Sequence, residues 1–373
     1  MTSCKNVMLV AGEASGDIAA SQLINATKKL NSDINFFGIG GDLSLQAGLE
    51  SIFPYENLGV MGITAVVKNY KTIKQALNIC TANLDARTPD LLILVDYPGF
   101  NLRLAKIAKD RGIKVLYFIS PKVWAWNRKR IHILKKNVDH MAVIFPFEVK
   151  IYEDIGLPVT HVTHPSLLQA RSSRSTSQTC DLYGLDPKKT LVCLMPGSRQ
   201  AEIKHHMPLF QQLINTMGNN YQFVIPLADT IKRSELQHYL SGQHQERVKI
   251  IANDQYNIIS ASDQVIVASG TAALEVALLC KPMCVIYKLS WLSYIFAKLV
   301  LNLPYISLPN IISGKEIIPE LIQHKANVNT LKNYLNSSHQ DTIIHLKKMK
   351  ETLDSTNTKD IGSCVINLLF NNF

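Results

Sequence analysis

Residues 89–101 read PDLLILVDYPGFN. Leu91–Val95 is an unbroken apolar run between a Pro-Asp turn signal and Asp96. A run with no polar face suits a strand covered on both sides, which is the condition of a parallel sheet packed between helices. Asn101–Lys109 then has helical spacing and is closed by Gly112, and Lys114–Ile119 reads as the next strand. Upstream the same unit recurs. Asn6–Ala11 is a strand, Gly12–Asp17 a turn, and Ile18–Leu30 a helix with Ala19, Leu23, Ala26 and Leu30 on one face. Asn35–Ile39 is a further strand before Gly40-Gly41. Repeated βαβ units predict an α/β fold with a doubly wound, open sheet.

Residues 169–180 (QARSSRSTSQTC) are polar and lack an apolar period, as expected of a linker. The pattern then restarts, with strands expected at Thr190–Met195, Gln222–Ile225, Val248–Ile251, Gln264–Ala268 and Pro282–Tyr287. Two Rossmann-like domains facing a central cleft are expected, at 1–168 and 181–345. A helical tail at 346–373 follows. The tail is free to pack back on the first domain or onto a second chain, so a homodimer stays open.

The chain has 373 residues, 47% hydrophobic and 18% charged, which excludes a disordered protein. Seven scattered cysteines form no paired framework, and the apolar run after the N-terminus stops at Glu13, too early for a secretory segment. No uninterrupted run reaches the roughly 20 apolar residues of a spanning helix. The nearest, residues 289–303 (LSWLSYIFAKLVLNL), reads either as a buried helix or as a face that touches a bilayer. These features predict a soluble, reduced, cytoplasmic protein. The net charge of +10 invites an anionic partner: nucleic acid, a phosphorylated substrate or an anionic membrane.

Ligands of doubly wound sheets bind beyond the carboxyl ends of the strands, and the chemically informative residues fall there. Gly12–Asp17 opens a helix, where backbone N–H groups bind anions and Ser15 or Asp17 is placed to cap; an ordinary capped turn reads equally well. Asp96 ends a strand and is placed to act as a general base, with Asn101 suited to cap the next helix. Trp124 and Trp126 run into Arg128–Arg130 and read as the floor of a sugar or acyl site, or as a packing cluster. This basic-aromatic mix is confined to one short segment without a nucleic-acid motif, so no nucleic acid is expected as a partner. Ser198 and Arg199 follow another strand, and the Arg199 fork suits a diphosphate. Ser269-Gly270-Thr271 opens a helix that carries Glu275, an arrangement able to hold a phosphate and a ribose hydroxyl. His161/His164, His205/His206 and Cys280/Cys284 lack zinc-site spacing, so no metal is expected.

These motifs, with Gly38–Gly41, Val60–Ile63, Phe145–Glu148 and Leu308–Asn310, run in order along most of the chain and together resemble the lipid-A-disaccharide synthases. The resemblance implies a GT-B glycosyltransferase. It implies transfer from UDP-2,3-diacylglucosamine to 2,3-diacylglucosamine 1-phosphate with inversion, giving a β-1,6 disaccharide phosphate and UDP, without metal or cofactor. It implies Asp96 as base. It implies Ser198, Arg199, Ser269, Gly270, Thr271, Glu275 and Asn310 around UDP-sugar. It implies Glu13, Ser15, Gly16, Asp17, Met61, Asn101, Trp124 and Trp126 on the acceptor side. It implies peripheral contact with the anionic inner face of the inner membrane of Gram-negative bacteria. Ala65, Lys122 and Thr163 depart from the family pattern and bear on the acceptor side rather than on the reaction class.

Overall fold

The computed structural model describes residues 4–58, 70–125, 129–240, 245–289, 304–354 and 358–370. Met61, Trp126 and residues 290–303 of the apolar run lie outside the described residues. The chain divides into two compact units. The first comprises Met1–Pro165 with Leu353–Phe373, and the second Ser166–Thr352.

The first unit is built on seven parallel strands: β1 (Lys5–Ala11), β2 (Ile34–Ile39), β3 (Leu49–Ser51), β4 (Leu91–Val95), β5 (Val115–Phe118), β6 (His140–Val143) and β7 (Val159–His161). Their order is β3-β2-β1-β4-β5-β6-β7. β4 is buried at all five positions, as its unbroken apolar run requires. The order reverses between β1 and β4, so the chain leaves these two neighbours in opposite directions and opens a crevice at their carboxyl ends. The last helix, Ile361–Phe370, packs on the first, Ala14–Leu30. The approach is close: a Cβ on Gly362 would lie 2.6 Å from the carbonyl carbon of Ala26, so only glycine fits.

The second unit has six parallel strands: β8 (Thr190–Met195), β9 (Tyr221–Leu227), β10 (Val248–Ala252), β11 (Gln264–Ala268), β12 (Met283–Tyr287) and β13 (Glu320–Ile322). Their order is β10-β9-β8-β11-β12-β13, with the reversal between β8 and β11.

Three expectations are revised. Thr176–Tyr183, inside the expected linker, is a helix, because Ser175 Oγ accepts from Gln178 N and the Gln178 side chain accepts from Ser175 N at 2.9 Å. The preceding turn is also fixed, since Asn257 Oδ1 accepts from the backbone N–H of Ser173 and Arg174 at 2.9 and 3.0 Å. A boundary after residue 345 would cut the helix Gln340–Leu353. The short strands β3, β6, β7 and β13, of three or four residues, were too brief to show a period in the sequence. The seven cysteines are free thiols.

Candidate active site

In the first unit the site grows from the ends of β1 and β4. The helix after β4 begins at Pro98, three residues earlier than its spacing predicted, because proline suits the first helical position. Tyr97 rather than Asn101 is therefore its N-cap residue. Asp96 and Tyr97 both adopt left-handed backbone conformations, with φ of 45° and 46°. Each costs about 1–2 kcal/mol for a residue with a side chain, so the turn must be held by its surroundings. Asp96 N–H donates to Phe118 O at 2.9 Å. The Asp96 carbonyl accepts from Tyr117 OH at 2.7 Å and from Asn101 Nδ2 at 2.8 Å. Tyr97 OH donates to Leu58 O at 3.1 Å. Asn101 is fully buried, so it braces the turn from beneath and does not face a ligand through its amide nitrogen.

The Tyr97 ring lies against Gly12: a Cβ there would come within 2.5 Å of Tyr97 Cδ1. This contact puts the Gly12–Asp17 turn beside Asp96 and explains the glycine. Gly16 is buried over Ala11 and Val95, while Glu13 and Ser15 stay accessible. Burial pushes the Asp96 carboxyl above the usual carboxylate value, and the charge of Lys122 works against that shift.

Asp17 does something different from what its position in the turn suggested. Its side chain does not cap its own helix. Its buried carboxylate accepts from Gly41 N at 2.8 Å, Ser44 N at 3.1 Å and Leu43 N at 3.1 Å, and from Ser44 Oγ. It therefore serves the start of the helix Asp42–Gln46 and ties the helix Ala14–Leu30 to the glycine loop after β2. Asp17→Ala strands four donors at once and should lower unfolding free energy by about 3 kcal/mol or more. An unchanged urea midpoint would count against this role.

Trp124 is half-buried. Its Nε1 donates to Glu148 Oε1 at 3.1 Å, and its ring meets Phe147 edge-on at 5.3 Å. The Phe145–Glu148 motif gives no sign of this pairing, because Trp124 lies 24 residues away. Burial pushes the Glu148 carboxyl up to about 7, against the pull of the Trp124 hydrogen bond. Ser120 Oγ shares a short hydrogen bond with Tyr152 OH in the same cluster. His164, packed on Phe145, is driven down to about 4 by burial.

In the second unit the ends of β8 and β11 carry the turns that hold Ser198–Arg199 and Ser269–Thr271. Arg199 is the N-cap residue of the helix Gln200–Thr216, with its side chain 60% exposed. Glu202 was missed: its Oε2 accepts from Ser198 N at 2.9 Å and Arg199 N at 3.3 Å, and its Oε1 lies 3.6 Å from Arg199 Nη1. The Ser198 and Arg199 backbone donors are thus occupied, and the exposed Arg199 guanidinium is what this end of the turn presents. Ser198 is exposed, and its carbonyl accepts from Thr230 Oγ1 at 2.6 Å. Gly270 and Thr271 are exposed at the start of the helix Thr271–Leu278. Ser269 Oγ donates to Ile306 O at 3.2 Å. Glu275, one turn in, bonds Tyr256, and burial pushes its carboxyl up to about 7.

Asn310 is fully buried and saturated. Its Oδ1 accepts from Ile317 N at 2.8 Å and Ile318 N at 3.1 Å; its Nδ2 donates to Ile318 O at 2.9 Å and Glu320 Oε1 at 2.8 Å. It shapes the loop between Ser307 and β13 and has no hydrogen-bonding group left for UDP.

Two doubly wound parallel sheets are the architecture of the GT-B fold, and solved structures share it. The S. aureus MnaA–UDP co-structure superposes with a TM-score of 0.66 at 11% identity, covering 97% of this chain and 95% of that one. The calicheamicin glycosyltransferase CalG4 gives 0.62 at 11%, covering 100% and 99%. A sequence model of the lipid-A-disaccharide synthetase family matches residues 7–367. Lipid-A-disaccharide synthase 1 of Legionella pneumophila strain Philadelphia 1 is 40% identical over 95% of both chains. The Geobacter metallireducens lipid-A-disaccharide synthase is 37% identical over 96% of this chain and 94% of its own. The chain belongs to the lipid-A-disaccharide synthetase family and is a glycosyltransferase of lipid A biosynthesis.

Proposed function

We propose that the chain joins UDP-2,3-diacylglucosamine to 2,3-diacylglucosamine 1-phosphate by a single inverting displacement. The acceptor 6-hydroxyl gives its proton to the Asp96 carboxylate as its oxygen attacks the donor's anomeric carbon. The bond from that carbon to the diphosphate breaks, and UDP departs with the bonding pair. The products are a β-1,6-linked disaccharide 1-phosphate and UDP. The observation that carries this reading is Asp96 itself, partly exposed at the order reversal of its sheet in a conformation held by Tyr117, Asn101 and Phe118. Arg199 meets the charge of the departing diphosphate, and the Ser269–Thr271 turn supplies further donors. Glu275 accepts from the ribose, and Ser198 and Asn310 act through loop shape. Glu13, Ser15 and Gly16 border the acceptor beside Asp96, with Trp124 at the next strand end.

Mass analysis of products from the two lipid substrates, in detergent and chelator, tests the reading. The disaccharide phosphate is expected. Conversion of the UDP-sugar alone, without acceptor, would point to an epimerase and overturn it.

Peripheral contact with an anionic membrane at the cytoplasmic face belongs to the same proposal. Among the described residues no helix is long and apolar enough to cross a membrane. Between Asp110 and Asp139 stand Arg111, Lys114, Lys122, Arg128, Lys129, Arg130, Lys135 and Lys136, with no acid among them. The helix Arg130–Asn137 also exposes Ile133, an apolar residue among cations. Reversing Lys129, Lys135 and Lys136 to Glu should abolish most sedimentation with phosphatidylglycerol vesicles at low salt; equal sedimentation would sink this surface. A homodimer is the remaining expectation, and a species of monomer mass in sedimentation velocity rejects it.

A further inference from the structure

The second unit contains a buried histidine that the proposed chemistry does not use. His206 is fully buried on the helix Gln200–Thr216, and both of its ring nitrogens are engaged. Nδ1 lies 2.7 Å from the Pro196 carbonyl, which only accepts, so Nδ1 carries the proton. Nε2 is therefore bare, and it accepts from Lys288 N–H at 3.0 Å. Pro196 directly follows β8 and Lys288 directly follows β12. These strands are not neighbours: β11 lies between them, so no backbone ladder ties their ends. The turn tied at one end leads into Ser198 and Arg199, and the intervening strand leads into Ser269–Thr271.

We propose that His206 is a positioning residue for the nucleotide, whose neutral ring braces the Pro196–Arg199 turn against the end of β12 and so sets where Arg199 stands. The inference rests on the UDP reading above and adds a residue to it. A neutral imidazole suits the place because it donates at one edge and accepts at the other. A protonated ring would turn a second N–H toward Lys288 N–H and break that side of the brace. Burial and the nearby His205 and Lys288 resist protonation, while Glu202 and the Pro196 carbonyl favour it, with burial dominant. The Tyr287 ring, 6.4 Å away, adds no charge at neutral pH.

The test is UDP affinity by titration calorimetry on protein shown by circular dichroism to be folded. His206→Ala should weaken UDP binding about tenfold or more, since two hydrogen bonds that hold the turn are lost. His206→Gln, which can still donate and accept, should recover part of it. In turnover, KM for the UDP-sugar should rise and kcat should fall with it, because a displaced Arg199 meets the departing diphosphate less well. His205→Ala, which leaves the brace intact, should match the wild type. Burial lowers the His206 ring from the ordinary value of 6.5, so acidification well below that value, down to the limit of the folded protein, should weaken UDP binding more in the wild type than in His206→Gln, because only the former has an imidazole here to protonate. The probe's own titration is common to both and cancels in the ratio. A merely structural histidine would lower the melting temperature without moving the affinity of folded protein. Equal UDP affinity in the wild type and both variants overturns the brace alone. No UDP binding by the wild type overturns the UDP reading and the brace with it. Should His206→Ala fail to fold, His206→Gln and the acid series decide: parallel pH curves reject the proposal.

Discussion

Asp96→Asn should lower turnover by roughly 10²–10⁴, the usual contribution of a general base, while UDP affinity stays within about twofold. Asparagine is the informative substitution because the site is left-handed, with φ of 45°. Asparagine tolerates that conformation, so the turn survives and only the proton acceptor is lost. Asp96→Ala should lose as much or more, but part of its loss would come from backbone strain. The pH profile supplies a second reading. Burial raises the Asp96 carboxyl, and only the deprotonated form can take the hydroxyl proton, so the acid limb of kcat/KM should lie above the ordinary carboxylate value of 3.8. Lys122 holds that shift in check, so Lys122→Met should move the limb to still higher pH. Full turnover in Asp96→Asn would remove this residue from the base role. An acid limb unmoved in Lys122→Met would remove the lysine's influence.

Arg199→Ala should weaken UDP binding by about 10–100-fold, the loss expected when a charge-assisted bond to phosphate disappears. The helix it precedes should not suffer. Glu202 holds the Ser198 and Arg199 backbone N–H groups through its own carboxylate, independently of the arginine side chain. Stability should therefore change by less than about 0.5 kcal/mol, as at other exposed positions. Arg199→Lys should recover only part of the affinity, because an ammonium replaces the charge but not the planar fork. Calorimetric titration with UDP, alongside a urea curve, separates the two effects. Intact affinity would mean that the guanidinium does not meet the diphosphate.

Asp96 and Arg199 draw differently on sequence and structure. That Asp96 and Arg199 follow strands was legible from the flanking apolar runs, since β4 and β8 were delimited without error. The left-handed turn at Asp96 was not legible, because it depends on Tyr117 and Phe118 from the adjacent strand. Asp17 and Asn310 show the same limit from the other side. Both stand in motifs that suggested ligand contact, and both spend their polar atoms on nearby backbone. Their donors and acceptors come from residues 7 to 27 positions away, and no local pattern announces such partners.

By itself, then, the sequence determined the α/β class, the division into two sheets, and the strand ends on which chemistry-bearing residues stand. Periodicity and apolar runs are local properties of the chain, and they survive being read one residue at a time. Only the tertiary structure decided which of those residues remain accessible and which are absorbed into the scaffold. It also decided the order of the strands, and with it the two reversal points where Asp96 and Arg199 emerge. The Glu148–Trp124 pair and the His206 brace were likewise decided there. The physical reason is that a polar side chain's role is set by which donors and acceptors surround it once water is removed, and those neighbours are chosen by the packing of distant segments.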